Sequence, residues 1–550
     1  MTITTFDGDC GEKHGDCNAC CAKTFTTDLK SEVSLLNEKL NSDKHILPPS
    51  KSSQSNEIKP LPAPPTSAST ILPRSPPHSP EILDLLIIGA GPHSLSLLSR
   101  LVDPTPDLLT ESERSHIMKK STRFKHRNDV ANHLKKSFDS SEKLKNTTVI
   151  DTHGTWLSQW RQNFSSYNIT HLRSHLNLHP CPFDFQSLSV YAIENKRENE
   201  LKDMEYAEKE EYRLQGFYGP FVLPSTSLFL DFCTSLVSRY GLSDLVQKGT
   251  VSDVKVLTES EGKTLFEVRL GDGRILTAKR VVAALGPGPA FKGMSVTKPF
   301  WAEDLEADLV DVEGDKMLHA SVLVNWLSEE DNIRKLEGRR VLVIGGGQTS
   351  AHLAKVAIKN GASCTMASRK VITKKPYDID VKFMGDKRPD MLKQFHKKTP
   401  DKKMAFNKKL RGGGSMSSCV YGGLVGVKGL ELLEEVEVEY ATYERGKDVI
   451  EVAFSNGNEK SYDYVWLATG GNFNLNLIPL FSSLQSQIPI QTFNGLPILE
   501  DDLSWKNNIP FHVMGAYAQM VLGADALNLA GARSGSVIVA RGILREKEGS

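Results

Sequence analysis

Two stretches of the chain share one pattern of apolar and polar positions. Each is an apolar run, then a glycine-rich turn, then apolar residues at helical spacing. The first is ILDLLIIGAGPHSLSLLSRL, from Ile82, and the second is RRVLVIGGGQTSAHLAKVA, from Arg339. A short apolar run bounded by Gly reads as a buried strand, and the change to a 3.6 period marks the helix that follows. Alternating runs come after each unit: TTVID, TVSDVKVL, TLFEVRL and RILTAKRVVAALG in the first half, and CTMASRK, VEVEYATYE and DVIEVAFSNGNEKSYDYVWLATGG in the second. The turns at Gly271–Gly273 and at Asn456-Gly457 predict hairpins. Each half therefore runs from a glycine turn through a β-meander to an apolar strand closing in a small-residue turn. These closures are Ala284-Leu285-Gly286 and Ala468-Thr469-Gly470. The expectation is an α/β protein with two dinucleotide-binding (Rossmann-like) domains, one inserted in the other.

Elsewhere the pattern fails. Residues 1–80 include LPPSKSSQSNEIKPLPAPPTSASTILPRSPPHSP, a Pro- and Ser-rich stretch that predicts a disordered tail. One short helix is expected within it, with Leu29, Val33, Leu36 and Leu40 on one stripe and Thr27 as N-cap. The tail could serve a protein partner. The charged stretch between Leu101 and Asn146 reads as an irregular surface insertion. Residues 369–411 hold fifteen Lys or Arg against five acidic residues. That stretch admits two readings, an electrostatic funnel for an anion or a solvated mobile insertion. GGGSMSS, from Gly412, reads as a flexible hinge.

Composition narrows the class. The 550 residues carry a formal net charge of zero, which gives no electrostatic footprint for nucleic acid. No apolar run reaches the roughly 18 residues that would span a bilayer, and the N-terminus has no apolar signal-peptide core. A cytoplasmic protein is the expectation. Of eight cysteines, Cys10, Cys17, Cys20 and Cys21 crowd together near His14. They lack the paired spacing of a zinc module, so no metal is expected.

The glycine turns carry the chemistry. Gly89 permits the turn out of the strand, Gly91 lets backbone approach a pyrophosphate, and Ser94 takes the small third position. The helix then aims its N-terminus at phosphate. Asp151, at the end of TTVID, stands where an acid would hold a ribose hydroxyl, although far later than the usual ~20 residues. A turn cap before His153 is the other reading of Asp151. In the second turn Gly345, Gly347 and Ser350 take the same three places. No acid ends the next strand; Ser368, Arg369 and Lys370 follow instead. Cations there suit a 2′-phosphate, which implies NADPH. Two dinucleotides meeting in one chain then imply FAD as the hydride acceptor. The division expected is a tail over 1–80, an FAD-binding domain over 81–335 and 466–550, and an NADPH-binding domain over 336–465. A disulfide reductase is disfavoured, since neither helix after a glycine turn carries a cysteine pair.

The run VIDTHGTWLSQWRQNF, the HLRS…HP.PF segment from His171 to Phe183, Pro224–Thr226, Leu318–Ser321 and LATGG from Leu467 resemble the FAD- and NADPH-dependent ornithine and lysine N-hydroxylating monooxygenases. They resemble more closely still the oxidative stress-induced growth inhibitor proteins. The resemblance spans residues 82–540. It implies an oxidoreductase in which NADPH reduces FAD and O2 oxygenates a small nucleophilic substrate or leaves as H2O2. It equally allows a regulatory protein that keeps the scaffold and acts through partners. It places Gly470 among the cofactor contacts and Gly523–Asn528 near the flavin ring. His319 is either the His of a His-Ser pair before the second turn or a structural histidine. The flavin monooxygenase FxGxxxH signature is broken, with Phe291 and Gly293 present but Thr297 in place of His.

Overall fold

The computed structural model describes residues 82–549 except 111–112, 114–124, 259–263, 287–298, 300, 304, 306–314, 386 and 472. The expected tail, its cysteine cluster and its helix lie outside the described residues, as do Phe291, Gly293 and Thr297.

Both apolar runs become central strands of parallel sheets. In the first sheet Leu85–Ile88 lies between Val281–Ala283 and Thr147–Asp151, and Val246–Lys248 extends the latter side. On the other side Ile509–Val513 pairs in parallel with Val281–Ala283, and Ser504–Lys506 closes the edge antiparallel. The chain thus returns to its first sheet after completing the second, so the expected insertion of one fold in the other is present. The second sheet runs Met317–His319, Tyr464–Leu467, Arg340–Ile344, Ser363–Ser368, Leu430–Glu434, all parallel. It therefore takes a strand from upstream of residue 336, and another of its strands crosses residue 465.

Parallel strands in the middle of a sheet are covered on both faces, which is why these runs are apolar without alternation. Leu86, Ile87, Val341, Leu342 and Val343 are completely buried. Burying each such side chain contributes about 1.5–3 kcal/mol. The two meanders form as expected. Val251–Thr258, Thr264–Leu270 and Ile275–Ala278 make one antiparallel sheet; Val438–Glu444, Val449–Phe454 and Glu459–Tyr462 make the other.

The last helix, Leu529–Gly549, lies against the helix that follows the first glycine turn, Pro92–Val102. Ser96 and Ser536 hydroxyls meet at 2.9 Å, and the fully buried Arg100 donates to Ser536 Oγ at 2.5 Å. Among the described residues no helix is long and apolar enough to cross a membrane, and no group of His, Cys, Asp and Glu could hold a metal ion.

Three expectations are corrected. The stretch between Leu101 and Asn146 is not wholly irregular. It contains the helix Arg127–Leu134, with Val130, Ala131 and His133 buried. Asp103 Oδ2 meets His133 Nε2 at 2.8 Å and accepts from Tyr240 Oη at 2.5 Å, while the His133 ring stacks on Phe183. Burial opposes ionisation of Asp103, but the His133 and Tyr240 hydrogen bonds outweigh it and hold the carboxyl below its usual range. So few apolar residues give no readable period, and polar partners anchor this helix.

Residues 369–411 are not a solvated mobile insertion. They form the helices Arg388–His396 and Pro400–Arg411, and Lys403, Asn407 and Arg411 of the second bind carbonyls of the C-terminal part. Lys403 donates to Met520 O at 2.9 Å, Asn407 to Gln519 O at 3.1 Å and Arg411 to Ala524 O at 2.9 Å. Nor is the segment after Gly412 a hinge. Ser415 and Met416 are buried and pair with Thr373–Lys374. Glycine in this segment serves close packing instead: a Cβ on Gly414 would lie 3.2 Å from the amide nitrogen of Gly347.

Candidate functional site

The two glycine turns are built alike. Each leaves its strand at a glycine with positive φ, +101° at Gly89 and +144° at Gly345. Each glycine sits against the closing strand, where a Cβ would meet the Ala284 carbonyl oxygen at 2.7 Å or that of Ala468 at 2.5 Å. No other residue fits both the angle and the approach. Ser94 Oγ donates to Gly89 O at 2.5 Å, and Ser350 Oγ lies 2.6 Å from where a Gly345 Cβ would be. Both serines are completely buried; Ser94 ties helix to strand, and Ser350 Oγ has no hydrogen-bond partner. The helices Pro92–Val102 and Gln348–Lys359 begin at Gly91 and Gly347, with no side-chain cap and no acid in the first turn. Helix N-termini finished in this way suit an anion.

In front of the turns the two sites differ. A Cβ on Gly91 would meet no atom within 4 Å, so the first helix opens onto free space that a pyrophosphate could fill. A Cβ on Gly347 would meet Gly414 Cα at 3.6 Å. The segment Gly414–Ser415 passes across the second turn and is held there by Arg173, which donates to Ser415 O at 2.7 Å, Ser415 Oγ at 2.8 Å and Lys375 O at 3.0 Å. Burial lowers the Arg173 guanidinium to about 10, still charged at neutral pH.

Asp151 ends its strand as expected. Its Oδ2 accepts the Ala90 amide inside the first glycine turn at 2.9 Å, and its Oδ1 accepts the His153 amide at 2.8 Å. It caps the following turn and grips the glycine turn together, and each oxygen keeps a further lone pair. The aromatic segment also reaches this turn, with Leu157 N donating to Ala90 O at 2.9 Å and Trp156 Nε1 to Leu242 O at 3.0 Å.

Ser368 is buried, and its hydroxyl donates to Lys370 O at 2.6 Å, which shapes the turn under Gly346. Arg369 and Lys370 are exposed at the end of that strand. Gly470 has φ +87° and open space at its Cβ position, and its carbonyl accepts from His319 Nε2 at 3.0 Å. His319 Nδ1 accepts the Ser321 amide at 3.1 Å and so caps Ala320–Trp326. That assignment puts the ring proton on Nε2. Both nitrogens are engaged with the protein. Asn528 caps the last helix, its Oδ1 accepting from Ala530 N at 2.9 Å and Gly531 N at 3.2 Å.

Several residues that tie the two halves together carried no role in the sequence. His93 Nε2 meets Ala526 O at 3.3 Å, so the start of the first helix touches the segment leading into the last. Burial lowers His93 to about 4 and keeps it neutral. Arg388 and Asp525 form a nearly buried ion pair. A line of contacts therefore runs from the second glycine turn through Gly414 and Arg411 to Ala524, then through Ala526 and His93 to the first. His175 is partly buried and lies edge-on to Tyr377; burial of its ring, aided by the Arg388 charge, lowers it to about 3. The HLRS run was the one available signal for Arg173 and His175, and it gave no role.

No protein-family model matches the chain, and no curated protein sequence matches it significantly. Solved structures do match. An ornithine hydroxylase from Pseudomonas aeruginosa superposes with a TM-score of 0.56 at 15% identity, over 85% of this chain and 100% of that one. An ornithine N-hydroxylase from Kutzneria sp. 744, solved with reduced FAD, NADP+ and L-ornithine, gives 0.56 at 14% identity over 85% and 100%. A cadaverine monooxygenase from Erwinia amylovora, bound to FAD, gives 0.54 at 14% over 86% and 95%. The chain thus has the two-domain fold of the N-hydroxylating monooxygenases, as the sequence resemblance implied.

Proposed function

We propose that this protein is an FAD- and NADPH-dependent oxidoreductase of the monooxygenase type. The first sheet and the helices packed on it would hold FAD, and the inserted sheet would hold NADPH. The carrying observation is the pair of uncapped helix N-termini at Gly91 and Gly347, joined by one continuous line of contacts. The fold supports this reading, because the Kutzneria enzyme that shares it was solved with reduced FAD and NADP+.

When bound, FAD would supply the redox chemistry, accepting hydride from NADPH and passing electrons to O2. The chain's own residues position and shield. The open side of Gly91 admits pyrophosphate, and the first-turn amides stabilise its charge. Asp151, fixed by the Ala90 amide, presents its remaining lone pairs to ribose hydroxyls. His93 brings no charge to the phosphates, and holds Ala526 against the turn. Arg369 and Lys370, exposed at the end of their strand, would hold the 2′-phosphate of NADPH. The Arg388–His396 and Pro400–Arg411 helices close over Gln519–Asp525 and exclude water from the space near the flavin. The substrate would be a small nucleophile; with poor shielding the product is H2O2.

The test is direct. Purified protein should be yellow with a flavin spectrum, and NADPH should bleach it anaerobically. Oxygen should restore the colour, with H2O2 or an oxygenated product released. Colourless protein that cannot be reconstituted with FAD would end this reading.

A further inference from the structure

Of the four described cysteines, Cys181, Cys233 and Cys364 are buried and Cys419 is exposed. Burial pushes the Cys364 thiol up to about 12 and Cys233 higher than an ordinary thiol, so neither ionises readily. Cys419 stands in a different setting. Lys202 Nζ donates to its Sγ at 2.5 Å. Lys355 Nζ donates to the carbonyl of the next residue, Val420, at 3.2 Å. An amine nitrogen thus touches the sulfur of an exposed thiol, which sets a nucleophile against an atom that a small oxidant can reach.

The partners come from different halves. Lys202 lies on Leu201–Asp203, which pairs with Val222–Pro224 in the first half of the chain. Cys419 follows Ser417 by two residues, and the Ser417 amide donates to Gln348 Oε1 at 3.4 Å, at the start of the helix after the second glycine turn.

We propose that Lys202 and Cys419 are an oxidation-sensitive pair that peroxide converts into a covalent sulfur–nitrogen cross-link between the two halves. In the first step hydrogen peroxide transfers one oxygen to Sγ; the O–O bond breaks, the thiol becomes a sulfenic acid and water leaves. In the second, Lys202 Nζ, having lost a proton to solvent, attacks Sγ. The S–N bond forms, the S–O bond breaks, and the hydroxyl leaves as water with an amine proton. One thiol, one amine and one peroxide give one sulfenamide and two waters. Sulfur is oxidised by two electrons and the peroxide is reduced by two. A thiol reductant reverses the link. The contact between Nζ and Sγ makes the second step intramolecular, which favours it over attack by a free thiol or a second peroxide. This proposal does not depend on the flavoprotein reading, since the peroxide is supplied.

The experiment treats the full chain with hydrogen peroxide at mildly alkaline pH, digests it and maps the peptides by mass spectrometry. The expected result is loss of the free Cys419 peptide, in step with a linked Lys202–Cys419 pair lacking two hydrogens. Dithiothreitol should return both peptides. Lys202→Arg and Cys419→Ser should each abolish the link, and in Lys202→Arg a sulfenic acid-trapping reagent should label Cys419. Recovery of wild-type Cys419 as free thiol, as sulfinic acid or in a disulfide, without the Lys202 link, would overturn the proposal.

Discussion

Arg388 Nη2 lies 2.5 Å from Asp525 Oδ2, with the two side chains 11% and 4% exposed. One residue comes from the basic segment and the other from the stretch that enters the last helix. Removing one partner of a buried pair leaves a charge without compensation, at about 3–5 kcal/mol. We predict that Arg388→Ala frees residues 388–411 from the C-terminal part. Hydrogen exchange should rise in both segments, and the thermal midpoint should drop. Arg388→Met combined with Asp525→Asn should lose less than the two single changes added together. Strict additivity would mean that the carbonyl contacts of Lys403, Asn407 and Arg411 hold the segment without this pair.

The architecture was legible because strand, turn and helix are local. The apolar runs at Leu85 and Val341, their glycines and the hairpin turns state their own geometry. The folding of residues 369–411 was not legible, since its helices are anchored by Lys403, Asn407 and Arg411 reaching backbone carbonyls more than a hundred positions away. Charge in a sequence reads as solvation, and only the fold shows which of these side chains have partners. Gly412–Gly414 misled for the same reason. A glycine needed for close approach, as at Gly414 over Gly347, looks like one needed for flexibility. Within the site, position was legible and orientation was not. Ser94, Ser350 and Ser368 stand where the motifs put them, with hydroxyls turned into the protein.

Stability should depend on acid through neutral histidines. Burial lowers His175 and His179 to about 3, and His93, His352 and His512 to about 4, all from 6.5. Between those values the unfolded chain binds protons that the folded chain refuses. Their contribution is therefore complete above about pH 6.5 and is lost as pH falls toward about 4. Each histidine gives a slope of up to about 1.4 kcal/mol per pH unit in that window. The measurement is the thermal midpoint across it, in wild type and in His512→Asn. The variant should show the shallower decline. Parallel curves would show that His512 is charged in the fold.

The first glycine turn separates folding from binding. Gly89→Ala would place its Cβ 2.7 Å from Ala284 O, at a φ of +101° that side chains rarely adopt. That variant should fold poorly with or without flavin. At Gly91 an added Cβ meets no atom within 4 Å. Gly91→Val should therefore keep the thermal midpoint of flavin-free protein while losing FAD, because the valine takes the pyrophosphate's space. Flavin content and circular dichroism on both variants decide it. FAD retained at full occupancy in Gly91→Val would move the flavin away from this turn.

On the function proposed above, coenzyme choice rests on the end of the Ser363–Ser368 strand. The Ser368 hydroxyl is spent on the Lys370 carbonyl, and the exposed Arg369 and Lys370 side chains would meet the adenosine ribose. NADPH carries a dianionic phosphate there and NADH a hydroxyl. A guanidinium can donate two parallel charge-assisted bonds to phosphate oxygens. Losing them should weaken binding by about 1.5–3 kcal/mol, roughly ten- to more than a hundredfold. Arg369→Ala should therefore raise the NADPH concentration needed for half-maximal flavin reduction by that factor and leave NADH nearly unchanged. Arg369→Lys should recover part of the loss, since a point charge replaces the fork but not its geometry. The assay is anaerobic flavin reduction over a range of each coenzyme. An equal loss for both coenzymes would place Arg369 in support of the turn, and a wild-type preference for NADH would remove the phosphate from this strand altogether.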